Sequence, residues 1–146
     1  MKEDDRLVTQ LVMKTGNNWG TGVAIFNKDG ELLSCKRTDT KNWCTPGGKV
    51  EVGETAVEGA IREVKEEVGI SLKPSDLEYV GYDVNAFNNE KVWISFLFVA
   101  HVDVDTKVTL QETELSEYEW TSVLKFLKKD VFAPSRILIN RVCKKR

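Results

Sequence analysis

The sequence predicts an α/β protein in which helices cover both faces of a mixed β-sheet, and three observations carry that expectation. Its periodicity runs through strands, one long amphipathic helix, more strands, and then helices. A late strand, KVWISFLFVAHV (Lys91 to Val102), is apolar on both faces, as a central strand covered on each side must be. The 146 residues are 41% hydrophobic and 30% charged, which suits one soluble domain over 1–146 with a real core.

Taken in order, LVTQLVMK (Leu7 to Lys14) reads as a possible first strand. TGVAIFN (Thr21 to Asn27) and ELLSCKR (Glu31 to Arg37) read as strands joined by a turn at Asn27-Lys28-Asp29-Gly30, where Asp-Gly is the hairpin signal. TDTKNWCTPGG (Thr38 to Gly48) reads as loop, broken by Pro46, Gly47 and Gly48. Thr55 to Val68 is the clearest helix. Val57, Ala60, Ile61, Val64 and Val68 recur at helical spacing, and Thr55 with Glu58 gives a capping box. Gly69 is placed to end the helix, and Ile70 to pack back over its last turn. LEYVGYDVNAF (Leu77 to Phe87), Lys91 to Val102 and the short EYEWTS (Glu117 to Ser122) read as strands. VLKFLKK (Val123 to Lys129) and SRILINRVCKKR (Ser135 to Arg146) read as amphipathic helices, the latter opened by Pro134 and Ser135.

Composition narrows the chemistry. A formal net charge of -2 gives no sign of a polyanion-binding surface, so nucleic acid is an unlikely partner. The acidic N-terminus is not a signal peptide, and no apolar run approaches a membrane span. Three cysteines (Cys35, Cys44, Cys143) without CxxC spacing argue against zinc or a disulfide framework and suit a reducing cytoplasm. With His101 as the single histidine, a histidine triad is nearly excluded, and acid–base work falls to carboxylates.

Those carboxylates cluster. At about 100° per residue, Glu63, Glu66 and Glu67 share one helix face, bordering the predicted buried stripe, with the small Ala56 and Gly59 leaving room among them. Exposed like charges on a helix cost only ~0.2–0.5 kcal/mol per pair, so crowding alone is compatible with a plain solvated face. The alternative is a divalent-cation site, since hard oxygen ligands suit Mg²⁺ or Mn²⁺.

The surrounding spacing separates the two readings. From Gly48 come five residues, Glu54, seven residues, Arg62-Glu63-Val64, one residue, Glu66-Glu67, one residue, and Gly69-Ile70. This resembles the signature of the Nudix hydrolases, the MutT-like family, at every fixed position. KRTDTKNWCTPGGKVEVGE (Lys36 to Glu54) is similar to the family's approach to that box, and EYEW followed by a helix to its C-terminal part. The resemblance implies the Nudix fold, an α/β/α sandwich around a mixed sheet, and hydrolysis of a nucleoside diphosphate linked to another group. It implies metal binding by Glu63, Glu66 and Glu67, with Glu54 supporting, the Gly47 carbonyl as a backbone ligand, and Arg62 orienting the glutamates. It places Arg37 where relatives contact phosphate; a plain surface arginine is the other reading. The base that takes a proton from water lies in the box (Glu66, Glu67) or on a later loop, where Glu114 is the candidate and Glu112 and Glu117 its rivals.

The box does not fix the nucleotide. GYDVNAFNNE (Gly81 to Glu90) lacks the proline of the ADP-ribose branch, and Phe87 stands near the tyrosine of the dinucleoside-polyphosphate branch. The short chain looks more like the nucleoside-triphosphate hydrolases, with Mg²⁺ and a small nucleotide as partners and a homodimer as one option. DVFAPSRI (Asp130 to Ile137) resembles the segment lining the base pocket, but Ser135 stands roughly where MutT-like proteins place an asparagine, so oxidised guanine is not implied. Trp93 and Phe87 are each readable as base-stacking rings or as core. Nucleotide sugars, dinucleoside polyphosphates, capped RNA and a non-catalytic nucleotide-binding domain stay as alternatives.

Overall fold

The strands are β1 (Trp19–Phe26), β2 (Leu32–Arg37), β3 (Trp43–Cys44), β4 (Gly47–Lys49), β5 (Leu77–Phe87), β6 (Lys91–His101) and β7 (Leu115–Thr121). They lie side by side in the order β3-β2-β1-β6-β5, with β4 on β1 and β7 on β2. The helices are α1 (Ala56–Val68), α2 (Val123–Leu127) and α3 (Ala133–Lys145), with a single 3₁₀ turn at Pro74–Asp76. This computed structural model describes residues 18–87 and 91–145; the strand expected at Leu7 to Lys14 lies outside them. No helix among the described residues is long and apolar enough to cross a membrane.

The sheet is mixed because β1 and β6 run parallel while the other named pairs are antiparallel. Alternation along the two central strands sorts their side chains into two cores. Val23, Ile25, Phe96, Phe98 and Ala100 join Ala56, Ala60, Val64 and Val68 of α1 on one face. Ala24, Phe26, Leu97 and Val99 join Phe126 of α2 and Leu138, Ile139 and Val142 of α3 on the other. Both faces are therefore covered, and β6 reads as apolar throughout for that reason.

Local chemistry sets the ends of the elements. Gly30, at φ 78, sits in the left-handed region at the first hairpin. Asn27 holds that turn, its Oδ1 accepting from the amides of Asp29 and Glu31 at 3.0 Å each. At α1 the capping box forms: Thr55 Oγ1 accepts from the Glu58 amide at 3.0 Å, and Glu58 Oε1 from the Thr55 amide at 2.9 Å. Gly69 closes the helix at φ 71. α3 begins at Ala133 rather than Ser135, with Pro134 in its first turn, where its missing N–H costs nothing.

Two expectations fail in ways that matter for the site. The segment through Pro46 and Gly48 is not loop throughout: β3 pairs with β2, and β4 pairs with β1 across Gly20–Gly22. β1 therefore changes partners. Its end at Phe26 pairs with Leu32 of β2, while its start pairs with β4. Secondly, the buried face of α1 is rotated toward the acids. Ala56 and Gly59 are buried with Ala60, Val64 and Val68, whereas Val57 and Ile61 are only partly covered. Helix-periodicity weights residues by hydrophobicity. Here two small residues let the helix sit close on β4, and that contact decides the rotation.

Candidate active site

α1 lies over β1 and β4, so its acidic flank faces the Gly47–Gly48 backbone. Backbone of β1 forbids a side chain at Gly47, and one at Gly48 would push the Glu63 carboxylate aside. A Cβ at Gly47 would stand 2.2 Å from the Thr21 carbonyl oxygen, and one at Gly48 would stand 2.5 Å from the Glu63 carboxyl carbon. The space expected around Gly59 is not open: a Cβ there would meet Glu54 Oε1 and Val50 Cγ2 at 3.3 Å each. Gly59 serves close packing of helix on loop.

The four box glutamates occupy different environments. Glu67 is the half-buried one at the cleft; its Oε1 accepts from the Gly47 amide at 2.8 Å. Burial pushes its carboxyl up to about 8, opposed by the Gly47 N–H and reinforced by the charges of Glu63 and Glu114. Burial also raises Glu63, with Arg62 pulling the other way. Glu54 is held low, first by its hydrogen bonds to Arg62. Glu66 is exposed.

Arg62 organises three of the four. Its Nε and Nη2 grip both oxygens of Glu54 at 2.7 and 2.9 Å, and Nη1 donates to Glu63 at 2.9 Å and Glu66 at 3.2 Å. Nη2 also donates to the Lys49 carbonyl at 2.8 Å, tying helix to strand.

Glu114 is brought to the site by backbone, from 47 residues beyond Glu67 in sequence (114 minus 67). The loop before β7 caps the end of α1: the amides of Thr109 and Gln111 donate to the carbonyls of Val68 and Glu67 at 2.9 Å each. The Glu114 amide then donates to Gln111, and its carbonyl accepts from the Thr38 amide, again at 2.9 Å each. Its exposed side chain is near enough to Glu67 to raise that carboxyl. Glu117 is instead paired with Lys36 at 3.6 Å. Glu112 is exposed, and no contact sets it beside Glu67.

A cleft of about 390 Å³ opens beside Glu67, walled by Arg37 and Phe132 near it and by Trp93, Ser95 and Asp83 further along. Arg37 is not a plain surface arginine. Its Nε and Nη2 bind Asp39 at 2.9 and 2.8 Å, and its guanidinium lies 4.0 Å over the Phe132 ring. Trp93 is half-buried, a cleft wall rather than core. Ser135 lines the cleft too, but its Oγ accepts from the Thr45 amide at 2.9 Å and lies 3.1 Å from Thr45 Oγ1. That hydroxyl braces the strand connection before Gly47. Phe87 ends β5 opposite Lys91, and its side chain lies outside what the structure describes. The thiols are poor nucleophiles here: burial pushes Cys44 up to about 12 and raises Cys35 as well.

A glycine-tight strand thus lies under an acidic helix, with an arginine and a cleft alongside. The chain belongs to the NUDIX domain family, whose model matches residues 16–142. Among curated relatives, an RNA pyrophosphohydrolase of Erythrobacter litoralis is 36% identical over 80 residues, 49% of each chain. A putative 8-oxo-dGTP diphosphatase of Bacillus subtilis is 44% identical over 50 residues, 34% of each chain. The chain thus spans about half or less of the curated relatives it matches. The crystal structure of a MutT protein from Methanosarcina mazei Go1 superposes with a TM-score of 0.73 at 30% identity, over 87% of this chain and 93% of that one. The sandwich expected from the sequence is the one found.

Proteins of this family generally use divalent metal ions, and the donor set here fits one. The oxygens are hard ligands, and Glu63 and Glu67 are crowded and desolvated in a way a dication would relieve. Among the described residues no three such side chains converge on one point. Arg62 draws Glu54, Glu63 and Glu66 to itself, so ligation requires Glu63 or Glu66 to turn away from it.

Proposed function

We propose that this chain is a Mg²⁺-dependent nucleoside-triphosphate pyrophosphohydrolase, releasing a monophosphate and pyrophosphate, with Mn²⁺ as a substitute. The observation that carries the reading is the half-buried Glu67, seated on the Gly47 amide at the end of a nucleotide-sized cleft with Arg37 beside it. Glu63, Glu67, Glu66 and the Gly47 carbonyl are the proposed metal ligands, with Glu54 supporting and Arg62 orienting them. Bound there, the ion offsets phosphate charge and acidifies water.

The protein's own groups supply the rest. Arg37 spends Nε and Nη2 on Asp39 and offers Nη1 to a phosphate oxygen, its plane fixed by Phe132. Glu114 is the proposed base for the attacking water, and its exposure and backbone anchoring beside Glu67 support that role. Positioning and charge compensation are what phosphoryl chemistry chiefly demands.

The test is a panel of nucleoside triphosphates with Mg²⁺ or Mn²⁺, products identified by mass and by phosphate release. Monophosphate and pyrophosphate are the expected pair. Binding without turnover across the panel would leave a regulatory nucleotide-binding domain. The name of the Erythrobacter relative supports a second reading, an RNA 5′ end as substrate, so a 5′-triphosphorylated oligonucleotide belongs in the same panel. Its turnover in strong preference to free nucleotides would replace the first reading.

A further inference from the structure

One oxygen beneath the acidic helix lacks a hydrogen bond. Thr21 on β1 is 7% exposed, and among the described residues its Oγ1 is buried with no partner. Ser34 Oγ is the other such atom, and alternation from Leu32 puts it on the sheet face away from α1. A buried hydroxyl left unbonded opposes folding, and native proteins carry few of them. Val23 and Ile25 follow Thr21 on the same face of β1 and pack under α1. On its β6 side Thr21 pairs in register with the fully buried Phe96. These neighbours are apolar, and valine would fill the position with nearly the same shape and no hydroxyl. Folding alone therefore does not call for threonine here.

On its β4 side Thr21 looks toward Glu63 of α1. Thr21 pairs in register with Gly48, so its side chain and the one Gly48 lacks belong to the same face. The Cβ positions of such partners lie about 4.5–5.5 Å apart. A Cβ at Gly48 would stand 2.5 Å from the Glu63 carboxyl carbon and 2.6 and 2.7 Å from its two oxygens. The carboxylate thus hangs where a side chain of β4 would be, one strand spacing from the Thr21 side chain. Glycine at position 48 puts no side chain of its own between them. Here Glu63 Oε1 accepts from Arg62 Nη1 at 2.9 Å, and the Thr21 hydroxyl is outside hydrogen-bond range of the carboxylate.

We propose that Thr21 is a positioning residue for Glu63: its Oγ1 donates to the carboxylate when Glu63 leaves Arg62 to ligate a divalent cation. This rests on the metal-dependent reading above and deepens it. A ligating carboxylate needs a hydrogen-bond donor of its own to fix its direction. Arg62 serves that purpose poorly, because its charge repels a dication and its Nε and Nη2 are already held by Glu54. A hydroxyl donates a hydrogen bond without net charge. Glu63 therefore exchanges a charged donor for a neutral one. The bond that Thr21 lacks in the Arg62-paired arrangement is made in the ligating one, so it adds to cation affinity and not to folding.

The experiment titrates Mn²⁺ into the unaltered protein, Thr21→Val and Thr21→Ser by calorimetry, and measures the Tm of each in EDTA. Thr21→Val is expected to weaken Mn²⁺ binding by roughly 10-fold or more, the scale of losing a ligand's hydrogen-bond partner. Its Tm in EDTA should match or exceed that of the unaltered protein, because the hydroxyl it removes has no bond to lose. Thr21→Ser keeps the donor and should bind Mn²⁺ nearly as the unaltered protein does, at a lower Tm for the methyl it gives up. A merely structural residue would show the opposite pattern, a lower Tm with affinity kept. Unchanged Mn²⁺ affinity in Thr21→Val overturns the proposal. A fall of several degrees in its Tm in EDTA overturns it too, since the hydroxyl would then have a partner before any ion binds. So does an equal loss of affinity in Thr21→Ser, which would implicate the methyl. Mn²⁺ binding that responds to Thr21 without turnover of any nucleotide sustains the positioning role and sinks the hydrolase reading. Turnover with a metal affinity indifferent to Thr21 does the reverse, and failure of the unaltered protein to bind Mn²⁺ sinks both.

Discussion

The two ends of the cleft are built by opposite strategies. At the Glu67 end, one helix and one tight strand place most of the candidate groups, and backbone leaves no room for a side chain at Gly47. At the Asp83 end, β1 gives Gly20, β5 gives Asp83, β6 gives both Trp93 and Ser95, and α3 gives Arg141, held by register and one ion pair. The first arrangement tolerates little change; on the proposed function it faces the phosphates, which every nucleotide carries. The second rests on single side chains, so substitution there should leave the Glu67 end intact.

Glu67→Gln probes that contrast hardest. Turnover should fall by roughly 10²–10⁴-fold in kcat, the scale of a lost acid–base or ligand carboxylate, with the circular-dichroism spectrum unchanged. Near-full activity in this variant would remove Glu67 from the site. Gly48→Ala comes next: a methyl placed 2.5 Å from the Glu63 carboxyl carbon must displace it. Metal affinity by titration calorimetry should weaken by about 10–100-fold, the usual cost of disturbing a ligand's setting.

Smaller effects are expected in stability. Arg62→Met leaves Glu54 and Glu63 without their shared donor, and a loss of roughly 1–3 kcal/mol in chemical denaturation is expected, discounted for the partial exposure of the cluster. Protonation of Glu67 gives a further check with a definite sign. Its folded-state value of about 8 lies above the ordinary 4.5, so the folded state keeps a proton that the unfolded chain releases. That contribution is full below pH 4.5 and lost as pH rises through 8. In EDTA, Tm should fall between pH 6 and pH 9, and the slope should flatten in Glu67→Gln. Ser95→Ala should have the least effect: KM for the preferred nucleotide rising by about 3- to 10-fold, the worth of one hydrogen bond, with kcat kept.

What the sequence disclosed follows the same division. α1, its capping box and the spacing from Gly48 to Ile70 are contiguous, so periodicity and spacing expose them directly. The rotation of α1 was not legible, because Ala56 and Gly59 carry no hydrophobic signal and bury only through contact with Val50 and β4. Glu114 is a candidate through the family resemblance alone, and its anchoring through Gln111 and Thr38 needed the folded backbone. The roles of Asp39 and Phe132 in fixing Arg37, and of Thr45 in engaging Ser135, depend on neighbours brought together by folding. Asp83, Ser95 and Gly20 were missed altogether. Their only signal is strand register, and the β5–β6 alignment was not derivable from alternation because β6 is apolar on both faces.

Arg62 carries one more consequence. Small metal-binding domains that gather naked ligands around an ion collapse when a chelator takes it away. Here a guanidinium already sits among Glu54, Glu63 and Glu66, supplying positive charge that comes with the polypeptide itself. Those charges are therefore balanced within the polypeptide, and on the proposed function an ion would trade places with a guanidinium instead of assembling the cluster. Folding and metal loading would then be separate events, and a chelator should silence the proposed activity while leaving the fold intact.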